Sequence, residues 1–290
     1  MSFGKGARRS HPSKLLRAVP AHLHPRIAAL LASSLPSAAD LLAYVPPRKD
    51  QGQSGSCTAG SISGGTSTAL RRAGTPLPWE PSPREIYAAT RAEERAIMTP
   101  VSLPLPPLQD VGAELADVIT VLGTLGVCPQ AVPTTPDGRN YDIWTANDGP
   151  ATPNVNNEPD AAQLEAAATT LVTGAYRIDN GAPTASDQAA AAIVAGFPLY
   201  AGFFVDSAFE ALGPNGVAGP PNENDPNGGG HAVFLAGYRT NAAGAREWLL
   251  VNSWGTGWAN DGTVWCSTAW LAAAWETWIL DVAVSTRAVA

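Results

Sequence analysis

The stretch Gly228-Gly229-Gly230-His231-Ala232-Val233-Phe234-Leu235-Ala236-Gly237-Tyr238, with Trp248-Leu249-Leu250-Val251-Asn252-Ser253-Trp254-Gly255-Thr256-Gly257-Trp258 after it, decides the reading of this chain. Each half is an apolar run with one polar side chain at its end: His231 leads the first run and Asn252 closes the second. Antiparallel pairing of two such strands would bring Asn252 close to His231. His231 is the sole histidine beyond residue 24, so a general base in the body of the chain is nearly forced to be this one. The glycines before it leave the backbone free to face a cleft.

A nucleophile for that base lies upstream. Cys57 sits in Asp50-Gln51-Gly52-Gln53-Ser54-Gly55-Ser56-Cys57-Thr58-Ala59, a glycine-punctuated loop that opens a helix. Sulfur attacks as thiolate, and the free N–H groups and partial positive charge of a helix N-terminus favour that form. The same N–H groups suit an oxyanion. A helix is expected from Ser56 to Ala73, with Gly74 at its end and the interior Gly60, Gly64 and Gly65 implying close packing against another element.

Working outward, Ser82-Pro83-Arg84-Glu85-Ile86-Tyr87 opens a second helix to Met98, with Ser82 as cap and Pro83 in the first turn. A third helix is read over about 113–125, a loop-like tract over 133–160, and helices from Asp160 to about Thr170 and from Ser186 to Ala195. Strands follow at Leu199–Val205, Ala232–Tyr238, Trp248–Asn252 and Thr263–Cys266. Helices first and strands later predict an α+β protein of two lobes with a cleft between them, divided near residue 175. The expected units are an N-terminal segment 1–43, a helical lobe 44–175 with Gln51 and Cys57, and a β-rich lobe 176–290 with His231 and Asn252. The first unit differs in composition, holding His11, His22 and His24 and a short helix near Ile27–Ser34.

Bulk properties narrow the function. The chain has 290 residues, 45% hydrophobic and 15% charged, with net charge −7. That acidic balance argues against nucleic acid or an anionic membrane as partner. No apolar run approaches the roughly 18 residues of a membrane span. Arg17, His22, His24 and Arg26 interrupt any secretory apolar region, which leaves the compartment open between the cytoplasm and export by another route. Cys57, Cys128 and Cys266 are too few for a disulfide framework and lack metal-ligand spacing, so no metal or cofactor is expected.

The quoted segments resemble the papain family of cysteine peptidases, in the order Cys, His, Asn. Asn252-Ser253-Trp254-Gly255-Thr256-Gly257-Trp258 matches that family's Asn block letter for letter, and Gln51 stands six residues before Cys57, as the family's oxyanion glutamine does. Ser82 to Tyr87, Gly126-Val127-Cys128-Pro129 and Gly229 to Val233 are similar to the short prokaryotic branch. The resemblance implies a two-lobe fold whose C-terminal lobe is an antiparallel, barrel-like sheet. It implies Cys57 as nucleophile, His231 as acid and base, Asn252 as orienter, Trp254 as a shield, and Gln51 in the oxyanion hole. Gly55, Ser56, Gly112 and Ala232 would line the substrate backbone, and the partner is a peptide or protein. Ser54 replaces a family cysteine, Thr58 replaces the usual aromatic, and the 174-residue interval from Cys57 to His231 implies loop insertions. An acyltransferase or transglutaminase-like enzyme and a silent binding module are the competing readings; amine acceptors would separate the first, and an epoxide label the second. The N-terminal segment is expected either to cross the cleft as a latch or to pack on the body as a strap.

Overall fold

Helix α3 (Cys57–Arg72) runs through the middle of the molecule, and its glycines explain where it lies. In the computed structural model, which describes residues 3–128, 167 and 170–284, a Cβ on Gly64 would stand 2.7 Å from the ring of Phe234, and one on Gly65 2.3 Å from Tyr200. A Cβ on Gly60 would meet Ser253 at 3.0 Å. The helix gives up intrinsic propensity at these positions so that its backbone can lie directly on the sheet. Helices α4 (Pro83–Met98) and α5 (Leu115–Thr124) pack beside it. Ser82 Oγ accepts the Glu85 N–H at 3.1 Å with Pro83 in the first turn, as the sequence predicts for the start of α4.

The segment before α3 is built of short pieces. These are β1 (Ala7–Arg8), α1 (Pro12–Leu16), β2 (Val19–Pro20), α2 (Pro25–Leu31) and β3 (Ala38–Asp40). Strand β4 (Ala113–Glu114) immediately precedes α5, and after α5 come β5 (Thr170–Ile178), α6 (Ala185–Val194), β6 (Leu199–Val205), α7 (Ser207–Glu210), β7 (Val217–Ala218), β8 (Gly229–Thr240), β9 (Arg246–Val251), β10 (Thr263–Ser267), α8 (Thr268–Ala273) and β11 (Glu276–Val284). One nine-stranded sheet has the order β2-β5-β11-β6-β8-β9-β10-β7, with β3 added on β8. Strands β6, β8 and β9 are antiparallel neighbours, while β2 on β5 and β7 on β10 are parallel. The architecture is therefore α+β, but the sheet is open and mixed among the described residues, which corrects the barrel-like antiparallel lobe.

Sequence reading missed β5 and β11. The first half of β11 is buried on both faces, so no apolar–polar alternation marks it, and Glu276, Thr277 and Asp281 interrupt its apolar run. Its partner β5 contains Gly174 and a register shift opposite Asp281 and Val282, a local bulge that breaks the period. The loop-like tract 133–160 lies outside the described residues, as does nearly all of the helix read from Asp160 to Thr170. No helix among the described residues is long and apolar enough to cross a membrane.

Candidate active site

Cys57 is the first residue of α3 and is wholly buried. The loop ahead of it is locked by its own polar groups. Ser54 Oγ donates to Gln51 O at 2.8 Å and meets Ser56 Oγ at 2.8 Å, in the place where the family's cysteine would stand. Gly55 N–H donates to Asp110 Oδ1 at 3.0 Å, and Asp110 also accepts the Tyr87 hydroxyl at 2.5 Å. Tyr87 in turn accepts the Gly112 N–H at 2.9 Å, so one buried network fixes Gly55 and Gly112 against each other.

The opposite wall carries the base. His231 lies in β8, and its Nε2 is 2.8 Å from Asn252 Oδ1 at the end of β9. The register pairs Phe234 with Val251, which sets this distance as strand pairing requires. The Trp254 ring stacks on the imidazole at 4.5 Å between centroids. The other ring nitrogen, Nδ1, is buried and has no hydrogen-bond partner. Gln51 Oε1 accepts the Ser253 hydroxyl at 2.5 Å, and Gln51 N–H donates to Ser253 O at 2.9 Å, tying the loop of Cys57 to the loop of Asn252.

Between these walls runs the N-terminal segment, backbone against backbone. Gly6 N–H donates to Gly230 O at 2.9 Å on the sheet side, and Gly6 O accepts Ala113 N–H at 2.9 Å on the helical side. Strand β1 pairs in parallel with β4, Ala7 opposite Ala113. Gly4 O accepts from Gln51 Nε2 and from Trp254 Nε1, each at 3.1 Å, and Phe3 stacks on Trp254 at 4.5 Å. A Cβ on Gly112, which has φ +77°, would stand 1.8 Å from Gly6 O, and one on Gly230 1.8 Å from Ala7 O. Only glycine at both wall positions admits a chain at this depth.

Electrostatics follow from that cover. Burial pushes the Cys57 thiol up to about 11, against the opposing effect of N–H groups from Ala232, Gly6, Ala7 and Thr58 that bond its sulfur. Burial likewise lowers His231 to about 4; the Asn252 bond opposes this, and the Lys5 ammonium adds to it. With the segment seated, thiol and imidazole are both neutral at pH 7, so the covered state holds no thiolate–imidazolium pair.

All the predicted site residues meet here: Cys57, Ser56, Gly55 and Gln51 at the head of α3, Gly112 beside them, His231, Ala232, Asn252 and Trp254 across the cleft. Sequence reasoning passed over Ser253, Tyr87 and Asp110, which hold the others in place. The motif beginning at Ser82 contains Tyr87, but no sequence signal links it to Asp110.

The family model described as papain family cysteine protease matches residues 140–274, a span with His231 and Asn252 but without Cys57. An uncharacterized peptidase C1-like protein of Acanthamoeba polyphaga mimivirus is 28% identical over 219 residues, 73% of this chain and 61% of its own length. The chain is similar to the papain family of cysteine proteases. Its match spans less than two thirds of that viral relative. Xylellain, a cysteine protease from Xylella fastidiosa, has the same fold, with TM-score 0.67 at 24% identity over 99% of this chain and 97% of its own. ProCathepsin B from Trypanosoma congolense superposes with TM-score 0.68 at 14% identity, covering 96% and 87%.

Proposed function

We propose that this chain is a cysteine endopeptidase held latent by its own first residues. The observation that carries the reading is the convergence of Cys57, the His231–Asn252 pair and Gln51 on one stretch of seated peptide backbone. Once that stretch lifts, solvent returns and the burial that keeps thiol and imidazole neutral is relieved. His231 takes the thiol proton, and the thiolate attacks the scissile carbonyl carbon. Gln51 Nε2 and the Cys57 N–H receive the negative charge on its oxygen. The tetrahedral adduct collapses to an acyl-enzyme as His231 gives its proton to the leaving amine. Water, deprotonated by His231, then releases the acid and restores the thiol. Asn252 keeps the imidazole oriented, and Trp254 covers that bond from water. The seated segment enters at Phe3 and leaves past Arg8 toward α1, so a chain can extend on both sides of the bond, which supports internal cleavage. The segments quoted above also favour the short prokaryotic branch.

The test is a chain lacking residues 1–8 offered unfolded protein. Hydrolysis is expected, is lost in Cys57→Ala, and comes with epoxide labelling confined to Cys57. Acyl transfer to an added amine in preference to water would move the reading to an acyltransferase. No turnover and no labelling would leave only a binding module.

A further inference from the structure

The seated segment holds two side chains apart at the crossing. Gly6 and Ala7 present their N–H groups to the Cys57 sulfur, and the residues flanking them, Lys5 and Arg8, are both cations. They reach opposite walls. Lys5 pairs with Glu210 at the end of α7, and its Nζ donates to Asn227 O at 2.5 Å. Its stem passes over Gly229, where a Cβ would come within 3.1 Å of Lys5 Cδ. Arg8 pairs with Glu94 of α4 on the helical side.

These carboxylates belong to the walls and are not free surface groups. The side chains of Glu94 and Glu210 are 10% and 18% exposed, and Lys5 is 15% exposed. Burial is the main influence on Glu94 and holds it at about 7 even with the Arg8 guanidinium opposing it. Beyond the crossing, Lys14 bridges Glu114 and Asp117 at 2.7 and 2.6 Å. By contrast, the pair of Arg9 with Glu223 is exposed on both sides at 3.9 Å and carries little weight. A mostly covered carboxylate whose cation departs is costly and recruits another cation. When the segment lifts, Glu210 and Glu94 lose these cations and leave one acidic group on either side of Cys57.

We propose, on the basis of the peptidase reading, that the open cleft selects cationic polypeptides, seating a Lys side chain along Gly229 against Glu210 and an Arg side chain against Glu94, on either side of the bond presented to Cys57. The segment thus doubles as an imprint of the substrate class. The sites are defined by place, and the polarity of a bound substrate emerges from which position of a peptide each variant affects.

The experiment uses the full chain with Gly4→Ala and Gly6→Ala. A Cβ on Gly4 would stand 2.2 Å from Ser54 O and one on Gly6 2.1 Å from Gly55 O, both backbone atoms, so the crossing cannot seat. Internally quenched peptides carry Lys or Arg, norleucine or Glu at the positions flanking the scissile bond. Basic peptides are expected to exceed norleucine ones by about tenfold or more in kcat/KM, with Glu worst. Glu210→Gln in that background is expected to bring the preference at one flank toward unity, and Glu94→Gln at the other. Equal rates for basic and norleucine peptides overturn the inference while leaving the peptidase intact, since the ion pairs would then serve only to hold the segment. A basic preference that survives both substitutions overturns the assignment to these two acids. No cleavage of any peptide, with no epoxide labelling of Cys57, means that the peptidase reading itself has failed and this inference with it.

Discussion

His231 has one ring nitrogen held by Asn252 and the other buried without a partner, and that asymmetry makes its titration a gauge of the cover above it. In the seated state its pKa is about 4 against an ordinary 6.5, so the covered state refuses a proton that the open state accepts. Closure is therefore at full strength above about 6.5 and is lost as pH falls from there toward about 4. Cys57 adds a limb of the opposite sense: raised from 9.0 to about 11, it weakens closure as pH rises past 9. Lys5, the cation that helps depress His231, departs with the segment. Glu94, raised to about 7 in the covered state, holds its proton more tightly there and opposes the His231 limb, so both chains carry Glu94→Gln when closure is titrated. The ratio of Cys57 alkylation rates in the chain lacking residues 1–8 and in the full chain reports this protection. It is expected to fall by up to about tenfold per pH unit below the His231 threshold, and a ratio that stays flat on acidification refutes the coupling. Gln51 supplies a separate residue-level test. Gln51→Ala in an opened chain should lower kcat by about 10²–10³-fold with little change in KM, and an unchanged kcat places the oxyanion elsewhere.

Helix α3 shows how an element can be read from sequence and still be only half explained. Its start, its end and its contact with another element follow from Ser56, Gly74 and the interior glycines, and the structure supplies the partners, Ser253, Phe234 and Tyr200. Replacing Gly65 by Ala sets two effects against each other. Helix propensity gains about 1 kcal/mol. The new Cβ, 2.3 Å from Tyr200 Cε1, costs about 1–3 kcal/mol of overpacking. The clash is the larger, so calorimetry should show Tm lower by about 2–4 °C, and a rise would mean that the helix is not pressed on the sheet as described. Capped helices and short unbroken apolar strands such as β6 were legible in this way. Strand β11 was not, because Glu276, Thr277 and Asp281 interrupt its apolar run, and neither were β1 to β3, whose partners lie more than a hundred residues away. Cys57, His231 and Asn252 were legible as candidates because each sits near the end of a well-marked element. The Tyr87–Asp110 brace was not, since nothing local announces a hydrogen bond between a helix and a loop.

At the scale of the molecule, the proposed latch and the strap divide one segment between them. Residues 3–8 cross the cleft, whereas β2 joins β5, β3 joins β8, and Ala21 and Ile27 are fully buried in the core. His24 continues the attachment, reaching Asp281 at 3.2 Å between the rings of Tyr176 and Phe197. Deleting residues 1–8 should therefore raise activity with Tm nearly unchanged. Deleting 1–40 should lower Tm by roughly 5 °C or more, because burial of Ile27 alone is worth about 1.5–3 kcal/mol and two sheet strands go with it. Equal melting temperatures for the two truncations would show that the attachment contributes nothing to stability.

The glycine crossing over Cys57 is fastened to the body by β2 and β3, and this changes what kind of blocker it is. A short tether fixes its effective concentration at about millimolar, whatever the volume around the molecule. Dilution cannot open the cleft, and a micromolar peptide competes with it at a steep disadvantage. Once the chain is cut between Arg8 and α1, the same eight residues become an ordinary diffusible ligand. Their hold then falls with every doubling of volume, so a single severed bond turns a lasting block into one that disperses.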